Sequence, residues 1–583
     1  MADLSISFIQ RLRLLAQRFL LVTLAVVGAL CGVLAVLFEK YVERTRDLLI
    51  GRALDQDGAL RIVLTIVLPA IVFAAIAAVI GRFAPRAVGA NLARVRMAYN
   101  ADPELLRPRS VAATFTATPL SLGAGAPLGP EGPIVVVTSG FSSGLARLLG
   151  FPPKLVRGMI PVGVAAGIAA IFNAPITGVV FALEEVVGTA DRGLLGGVLV
   201  GSVAAAVVER MLLGGRPLLA APFSTWHDPR EFIGFAAVGI IAGLVSGTAI
   251  AAAHRLKRSW ARAMPSIVMR AALAGLLIGA AGIVAPSILG VGYDSVSFWL
   301  HGGGTAEGTA IAFAVKTLAY VLAISGGILG GSFAPSLFIG TALGASIGHV
   351  SQMLFGSAPI DPKAYAILGM GAFFAGLLRS PIAAVLIVIE LTRDYDLVLP
   401  LMLGVSLAVA ISRRISPLSI VEQQMIDEGY VESREESDPL GHVRTGEAMT
   451  PTPLAIVDSA LLRDAAREML GRPHRFYPVV DRDGRLVGVV SRAVLDAALA
   501  GNDDGRQVVD VVEEPKLVAT AGESVTDVVE RMKLKGVDRC PVIDDETSRR
   551  VVGFLSPSDL LRIRMQRLRR ADDPDFEIFE MHG

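Results

Sequence analysis

From Arg18 to about Ile411 the sequence is a succession of apolar segments broken by glycine and proline, and many of them are too short to cross a bilayer alone. A spanning helix needs roughly 20 apolar residues. Phe19–Phe38 and Arg61–Ile80 meet that length. Ser110–Leu122, Ile134–Leu149, Val156–Phe172 and Ile176–Val187 are shorter. Leu194–Leu213, Phe232–Ala253, Met269–Leu289, Gly308–Ile324 and Phe333–Leu354 follow, then Tyr365–Leu378, Ile382–Leu391 and Leu397–Ile411. In lipid, a broken helix survives only where protein or a water-filled path satisfies its free backbone groups. Short interrupted segments in matching places of two halves point to a transport site.

The halves do match. Pro175 to Glu184 aligns with Pro381 to Glu390, and Pro, Ile and Glu coincide at an offset of 206 (381 − 175 and 390 − 184), which also carries Gly163 onto Gly369. Gly129-Pro-Glu-Gly-Pro133 and Gly331-Ser-Phe-Ala-Pro335 share G-x-x-x-P at an offset of 202 (331 − 129). Order and spacing together indicate an internal duplication, with halves of roughly 18–215 and 230–412. Each motif is followed by apolar residues, and Pro133 suits a first helical turn. The spacing predicts helices from about Ile134 and Pro335, whose free amides aim at one central point and favour an anion. Glu131, boxed in by glycine and proline within apolar sequence, is a functional candidate by default. The alternative is a Gly/Pro turn with a solvated Glu.

Composition narrows the class. Charged residues make up 18% of the 583, against roughly a quarter in soluble domains, and they concentrate beyond Ser412. The net charge of +1 gives no footing for nucleic acid. Cys31 and Cys540 lie too far apart in the chain to suggest a disulfide framework or zinc site. The chain carries no GxxxxGK[ST], HExxH or paired Cys/His set, so neither an enzyme nor a required cofactor or metal is expected. No small-residue cleavage pattern marks a removed signal peptide. Residues 1–17 are amphipathic, and Arg11 and Arg13, with Arg18 close by, lead to the expectation of a helix on the cytoplasmic face.

The motifs GPEGP, GSFAP, FNAPITGVVFALEEV and the paired PI…IE segment resemble the chloride-channel (CLC) family of anion channels and anion/proton antiporters. The resemblance spans about 18–425. It implies a homodimer with one pore per subunit, inverted halves, and an anion held between helix N-termini by the amides of Ser332, Phe333, Ile134 and Val135. Glu131 matches the gating glutamate. A carboxylate competes with chloride for the same positive helix ends, and protonation removes the competition. Glu184 pairs with Glu390 in the repeat, which suggests a structural role. Glu185 falls where antiporters of the family keep a proton-transfer glutamate; a solvated Glu at a helix end is the bland alternative. Two side-chain donors of the family are missing. Ala90 stands where a serine is usual, with Asn91 one residue on as a substitute donor, and Val421 stands where a tyrosine is usual. Pro130 replaces a basic residue common between Gly and Glu. Weaker central anion binding and leak without protons follow, and Asn91 is similar to the loop of the fluoride-exporting branch.

Beyond a last helix and charged linker (415–444), two soluble units repeat. Tyr477-Pro-Val-Val-Asp481 and Cys540-Pro-Val-Ile-Asp544 are 63 apart (540 − 477). They resemble a tandem CBS pair, 445–500 and 508–566, with a tail at 567–583. Such pairs often bind ATP, ADP or AMP through S/T-x-x-D. Ser556-Pro-Ser-Asp559 fits that motif, whereas the first unit has Ser491 but Val494 in place of the Asp. A purely structural pair is the alternative. The expected architecture is therefore an all-α polytopic membrane domain (18–414) of two inverted repeats with broken helices, followed by a cytoplasmic α+β tandem CBS module. The expected function is chloride/proton exchange across a bacterial inner membrane, with both termini cytoplasmic. An uncoupled chloride channel, a fluoride exporter and a receptor-like module are the alternatives.

Overall fold

A computed structural model describes residues 20–83, 91–188, 192–215, 219, 229–354, 360–428, 430, 443–451, 454–470, 472, 476–500 and 505–563. The expected N-terminal helix, Ala90 and the tail lie outside them. The chain forms two compact units, Met1–Val431 and Glu432–Gly583.

The first unit is built of helices. In the first half these are α1 Leu20–Arg46, α2 Gly58–Phe83, α3 Leu92–Asn100, α4 Pro108–Gly123, α5 Glu131–Leu148, α6 Pro153–Phe172, α7 Pro175–Phe181 and α8 Arg192–Leu213. The second half holds α9 Glu231–Ala263, α10 Ile267–Val284, α11 Tyr293–Leu300, α12 Ala306–Gly326, α13 Phe333–Leu354, α14 Pro362–Leu378, α15 Pro381–Thr392, α16 Val398–Ile415 and α17 Ile420–Asp427. Nine helices among the described residues are long and apolar enough to cross a membrane; α14 and α15 are shorter.

Several boundaries differ from the sequence expectation for local reasons. α5 begins at Glu131 rather than Ile134, so the glutamate itself opens the helix. α10 stops at Val284, because Pro286 cannot donate to the helix ladder. The last two helices shift against the expected Leu397–Ile411 and the last helix from 415: α16 runs on to Ile415, ahead of Pro417, and α17 starts only at Ile420, under a capping box of Ser419 and Glu422.

The duplication is visible in the backbone. α6 and α14 both terminate on a non-glycine residue in the left-handed region, Asn173 (φ 50°) and Arg379 (φ 71°), which are 206 apart (379 − 173). Each is pinned by its side chain. Arg210 Nε donates to Asn173 Oδ1 at 2.8 Å, and Arg379 Nη2 donates to the Ser416 carbonyl at 2.6 Å. After each turn a proline opens a short helix, α7 or α15. The two short helices pack together and cap one another. Glu390, near the end of α15, accepts from the Ile176 amide (3.1 Å), the Thr177 amide (2.6 Å) and the Thr177 hydroxyl (2.6 Å) at the start of α7. Glu184, just beyond α7, accepts from the Ile382 (3.2 Å) and Ala383 (2.8 Å) amides at the start of α15. A carboxylate at a helix start meets both free amides and the positive helix end.

In the second unit one sheet has the order β1-β7-β6-β5 and the other β2-β3-β4. The strands are β1 Thr450–Pro451, β2 Ile456–Val457, β3 Phe476–Val480, β4 Leu486–Ser491, β5 Ala519–Thr520, β6 Cys540–Ile543 and β7 Val551–Leu555. The two hairpins carry the same bulge, at Val479/Val480 and Val542/Ile543. The sequence boundaries of the repeats are not those of the cores. Val443, Ala448 and β1 belong to the second core, while Val508 completes the first.

Candidate functional site

The site forms where the two G-x-x-x-P motifs meet. Gly129 and Gly331 exchange two backbone hydrogen bonds, Gly129 N to Gly331 O at 2.9 Å and Gly331 N to Gly129 O at 2.6 Å. Both positions need glycine for space. A Cβ on Gly331 would lie 2.7 Å from the Gly132 amide nitrogen, and one on Gly129 would lie 2.8 Å from the Ala334 Cβ and 3.0 Å from the Ala334 amide nitrogen. This bridge sets the starts of α5 and α13 side by side.

Glu131 is completely buried between them. Its Oε2 accepts from the Ala334 amide, in the first turn of the opposing half, at 3.3 Å. Its Oε1 accepts from the Tyr293 hydroxyl at the start of α11. Tyr293 is held in turn through the loop before it. The buried Lys316, in the middle of α12, donates to the carbonyls of Ile288 (2.8 Å) and Gly290 (2.7 Å) and lies 4.7 Å from the Phe338 ring centroid.

Below the carboxylate a cavity opens, lined by Asn91, Glu131, Ser332, Phe333, Val421 and Gln424 among others. Helix geometry decides which amides face it. Ser336 N bonds to Ser332 O at 3.3 Å, so the amides of Ser332 and Phe333 precede the first intrahelical bond of α13 and stay free of the ladder. In α5 the amide of Ile134 donates to the Pro130 carbonyl at 2.9 Å, and Val135 lies one residue deeper in the helix. The expectation of free amides at Ile134 and Val135 is therefore corrected, although Val135 does line the cavity: the ladder-free amides of α5 are those of Glu131 and Gly132. Phe333 is fixed by rings on three sides, Phe172 at 4.8 Å, Phe181 at 5.7 Å and Phe374 at 4.4 Å between centroids. Tyr320 donates to Ser332 Oγ at 2.9 Å.

Asn91 and Val421 reach the cavity, but the Asn91 amide does not serve as the free donor expected of it. Its Oδ1 caps α3 by accepting from Ala93 N at 3.1 Å, and its Nδ2 donates to Gln424 Oε1 at 2.7 Å. Sequence reasoning missed Gln424. The available signal was its spacing: three residues after Val421, it shares that residue's helix face. It also missed Tyr293 and Lys316, for which no local motif exists.

Glu185 is buried, 3% exposed, in a π-helical turn at Ala182–Val187. Ser380, the residue before α15, donates to its Oε1, and its Oε2 has no hydrogen-bond partner among the described residues. Adjacent glutamates thus part ways: Glu184 caps a helix and Glu185 faces inward. Within the CBS unit, Asp559 is 6% exposed. Burial alone would raise its pKa, but donors from Ser556, Thr450 and Arg562 outweigh this and hold the carboxyl below the usual range. The Ser556 hydroxyl (2.5 Å) and amide (3.0 Å), Thr450 Oγ1 (2.7 Å) and Arg562 Nη2 (3.1 Å) already fill it.

Inverted halves, helix starts converging on a buried carboxylate and a cavity beneath it define a membrane protein of the broken-helix transport class. The sequence profile of the voltage gated chloride channel family matches residues 71–413, and that of the CBS domain matches 445–501 and 508–566. The chain belongs to the voltage-gated chloride channel family and is an integral membrane protein. It is 34% identical over 289 residues to a ClcB-like protein of Ralstonia nicotianae, covering 49% of this chain and 67% of that one. It is 29% identical over 401 residues to the H(+)/Cl(-) exchange transporter ClcA of Citrobacter koseri, covering 66% and 83%. Its fold matches that of a slow cyanobacterial Cl−/H+ antiporter with a TM-score of 0.65 at 24% identity, over 70% of this chain and 99% of that one.

Proposed function

We propose that the chain exchanges chloride for protons across a membrane, with Glu131 as the gate and Glu185 as the inner proton-transfer group. One observation carries this reading: the Glu131 carboxylate occupies the meeting point of two helix starts from opposite halves, where it takes the Ala334 amide that an anion would otherwise take. A halide and the carboxylate compete for the same donors, so protonating the carboxylate frees them. Glu185 supports the proton half of the cycle, since it is buried and one of its oxygens has no hydrogen-bond partner among the described residues. The names of relatives, among them an H(+)/Cl(-) exchange transporter, point the same way.

The test is reconstitution into liposomes under a chloride gradient. Uphill proton movement that stops in Glu131→Gln and in Glu185→Gln, while chloride still moves, is the expected result. Chloride flux without proton movement in the unaltered protein would replace exchange by the second reading, an uncoupled channel. Val421, an apolar wall where a donor is usual, favours that reading. Fluoride flux far above chloride would reverse the substrate.

The assembly proposed is a homodimer in a bacterial inner membrane with both termini cytoplasmic. Apolar side chains exposed along α8, α7, α15 and α16, such as Leu199, Ile176, Ile382 and Met402, support a partner or lipid on that face. A regulatory adenine nucleotide in the second CBS unit is a further proposal. It requires Asp559 to trade protein donors for ribose hydroxyls. Saturable binding of ATP, ADP or AMP that Asp559→Asn removes would establish it; no binding of any of the three would end it.

A further inference from the structure

The cavity beneath Glu131 has lost the side-chain hydroxyl that the family resemblance places at position 421, yet it is not without a side-chain donor. Gln424 lines it, on the same face of α17 as Val421 and one turn away. Which end of the Gln424 carboxamide faces away from Asn91 follows from a chain of hydrogen bonds. The first turn of α3 needs an acceptor for its free amides, and Asn91, with extended backbone (φ −149°), supplies Oδ1 to Ala93 N at 3.1 Å. With Oδ1 committed, the other end of Asn91 is the donor Nδ2. That donor meets Gln424 at 2.7 Å, and only an oxygen can accept it, so the contact atom is Oε1. The Gln424 Nε2 then carries two N–H groups, and no hydrogen bond from them to the protein is present among the described residues. It is not among the buried polar atoms left without a partner, so it retains accessible surface.

We propose that Gln424, oriented by Asn91, is the side-chain anion donor of this pore, a specificity-determining residue that replaces the missing hydroxyl at position 421. The proposal rests on the anion-transport reading above. A carboxamide differs from a phenol in two ways that matter here. It offers two N–H donors in one plane instead of one O–H, and it cannot ionise at any working pH. Asn91 touches the anion only through this second residue and is a positioning residue: its cap on α3 dictates which end of Gln424 is free.

The experiment is equilibrium chloride binding to the full-length protein in detergent, by calorimetry, beside thermal unfolding and liposome flux. Gln424→Met keeps the length and removes the donors. Asn91→Ser keeps a helix-capping oxygen but is too short to hold Gln424, so it tests orientation without touching the anion. Gln424→Met is expected to weaken chloride binding by about tenfold or more, the scale for a hydrogen bond to a charged group. Asn91→Ser is expected to weaken it by a smaller factor, with the unfolding midpoint unmoved in both. Unchanged chloride affinity in Gln424→Met, with flux intact, overturns the proposal and leaves the transport reading standing. The same affinity loss in Gln424→Met and in a control substitution on the outward side of α17, Gln423→Met, would also overturn it, because the effect would then belong to the helix. An unaltered protein that neither binds nor carries chloride overturns both.

Discussion

Tyr293 and Ala334 hold the Glu131 carboxylate from two sides, one by a hydroxyl and one by an amide. The hydroxyl is the removable member of the pair. A hydrogen bond to a charged group contributes about 1.5–3 kcal/mol, and about 1.4 kcal/mol is a factor of ten. Tyr293→Phe keeps the ring and deletes only that bond, so the seated carboxylate becomes easier to displace. Chloride efflux from proteoliposomes at fixed pH is expected to rise about tenfold in Tyr293→Phe. An unchanged or reduced rate would remove Tyr293 from the gate. At this scale the sequence was partly legible. Glu131 stood out as an acid among Gly and Pro in apolar sequence, and the matching G-x-x-x-P motif 202 residues on set it apart from a solvated Glu in a turn. Tyr293 and Gln424 did not, because they reach the site from distant segments and stand in no motif. Ile134 and Val135 were misassigned because the helix begins at the glutamate, and one turn of error at a helix start turns free amides into bonded ones.

Among the elements, α7 and α15 show the most economical use of the duplication. Their N-termini are capped across the repeat, by Glu390 and Glu184 respectively, and the two caps are unequal. Glu390 takes three donors and Glu184 two. Losing a helix-capping side chain costs about 0.5–2 kcal/mol, and here each loss also strands donors at an interface between halves. Both Glu184→Ala and Glu390→Ala are expected to lower the thermal unfolding midpoint of the detergent-solubilised protein, Glu390→Ala by more. Neither is expected to uncouple protons from chloride, in contrast to Glu185→Gln. An equal or reversed order would mean that the donors find other acceptors, and loss of coupling in Glu184→Ala would dissolve the distinction between adjacent glutamates. The pairing of Glu184 with Glu390 was readable from the offset of 206 alone, since a residue kept in both copies at the end of a short helix suggests a role in the fold. What the offset could not give is that each glutamate serves the other copy. Strand exchange in the CBS unit escaped the sequence in the same way: β1 lies within the first repeat but pairs with β7 of the second, and such an exchange leaves no local pattern.

For the whole membrane unit, the decisive contact is the backbone bridge between Gly129 and Gly331, where the first half meets the second. Everything proposed for the pore depends on its closeness, because the Ala334 amide reaches Glu131 only if α5 and α13 start side by side. A methyl group is the smallest wedge that can test it. At Gly331 a Cβ would fall 2.7 Å from the Gly132 nitrogen, and backbone cannot retreat as a side-chain tip can. At Gly144, on the same helix α5, a Cβ meets nothing within 4 Å. Within a helix an alanine there is expected to be neutral or stabilising by about 0.4–1 kcal/mol. The paired expectation is that Gly331→Ala lowers chloride flux and chloride affinity by more than tenfold, since each stranded donor to an anion is worth about that factor. Gly144→Ala is expected to leave both unchanged. Size-exclusion profiles and unfolding midpoints separate a displaced helix start from a misfolded protein. A Gly331→Ala protein that is folded and binds chloride normally would show that the helix starts need no such approach. The anion would then be held by something other than the meeting of the halves.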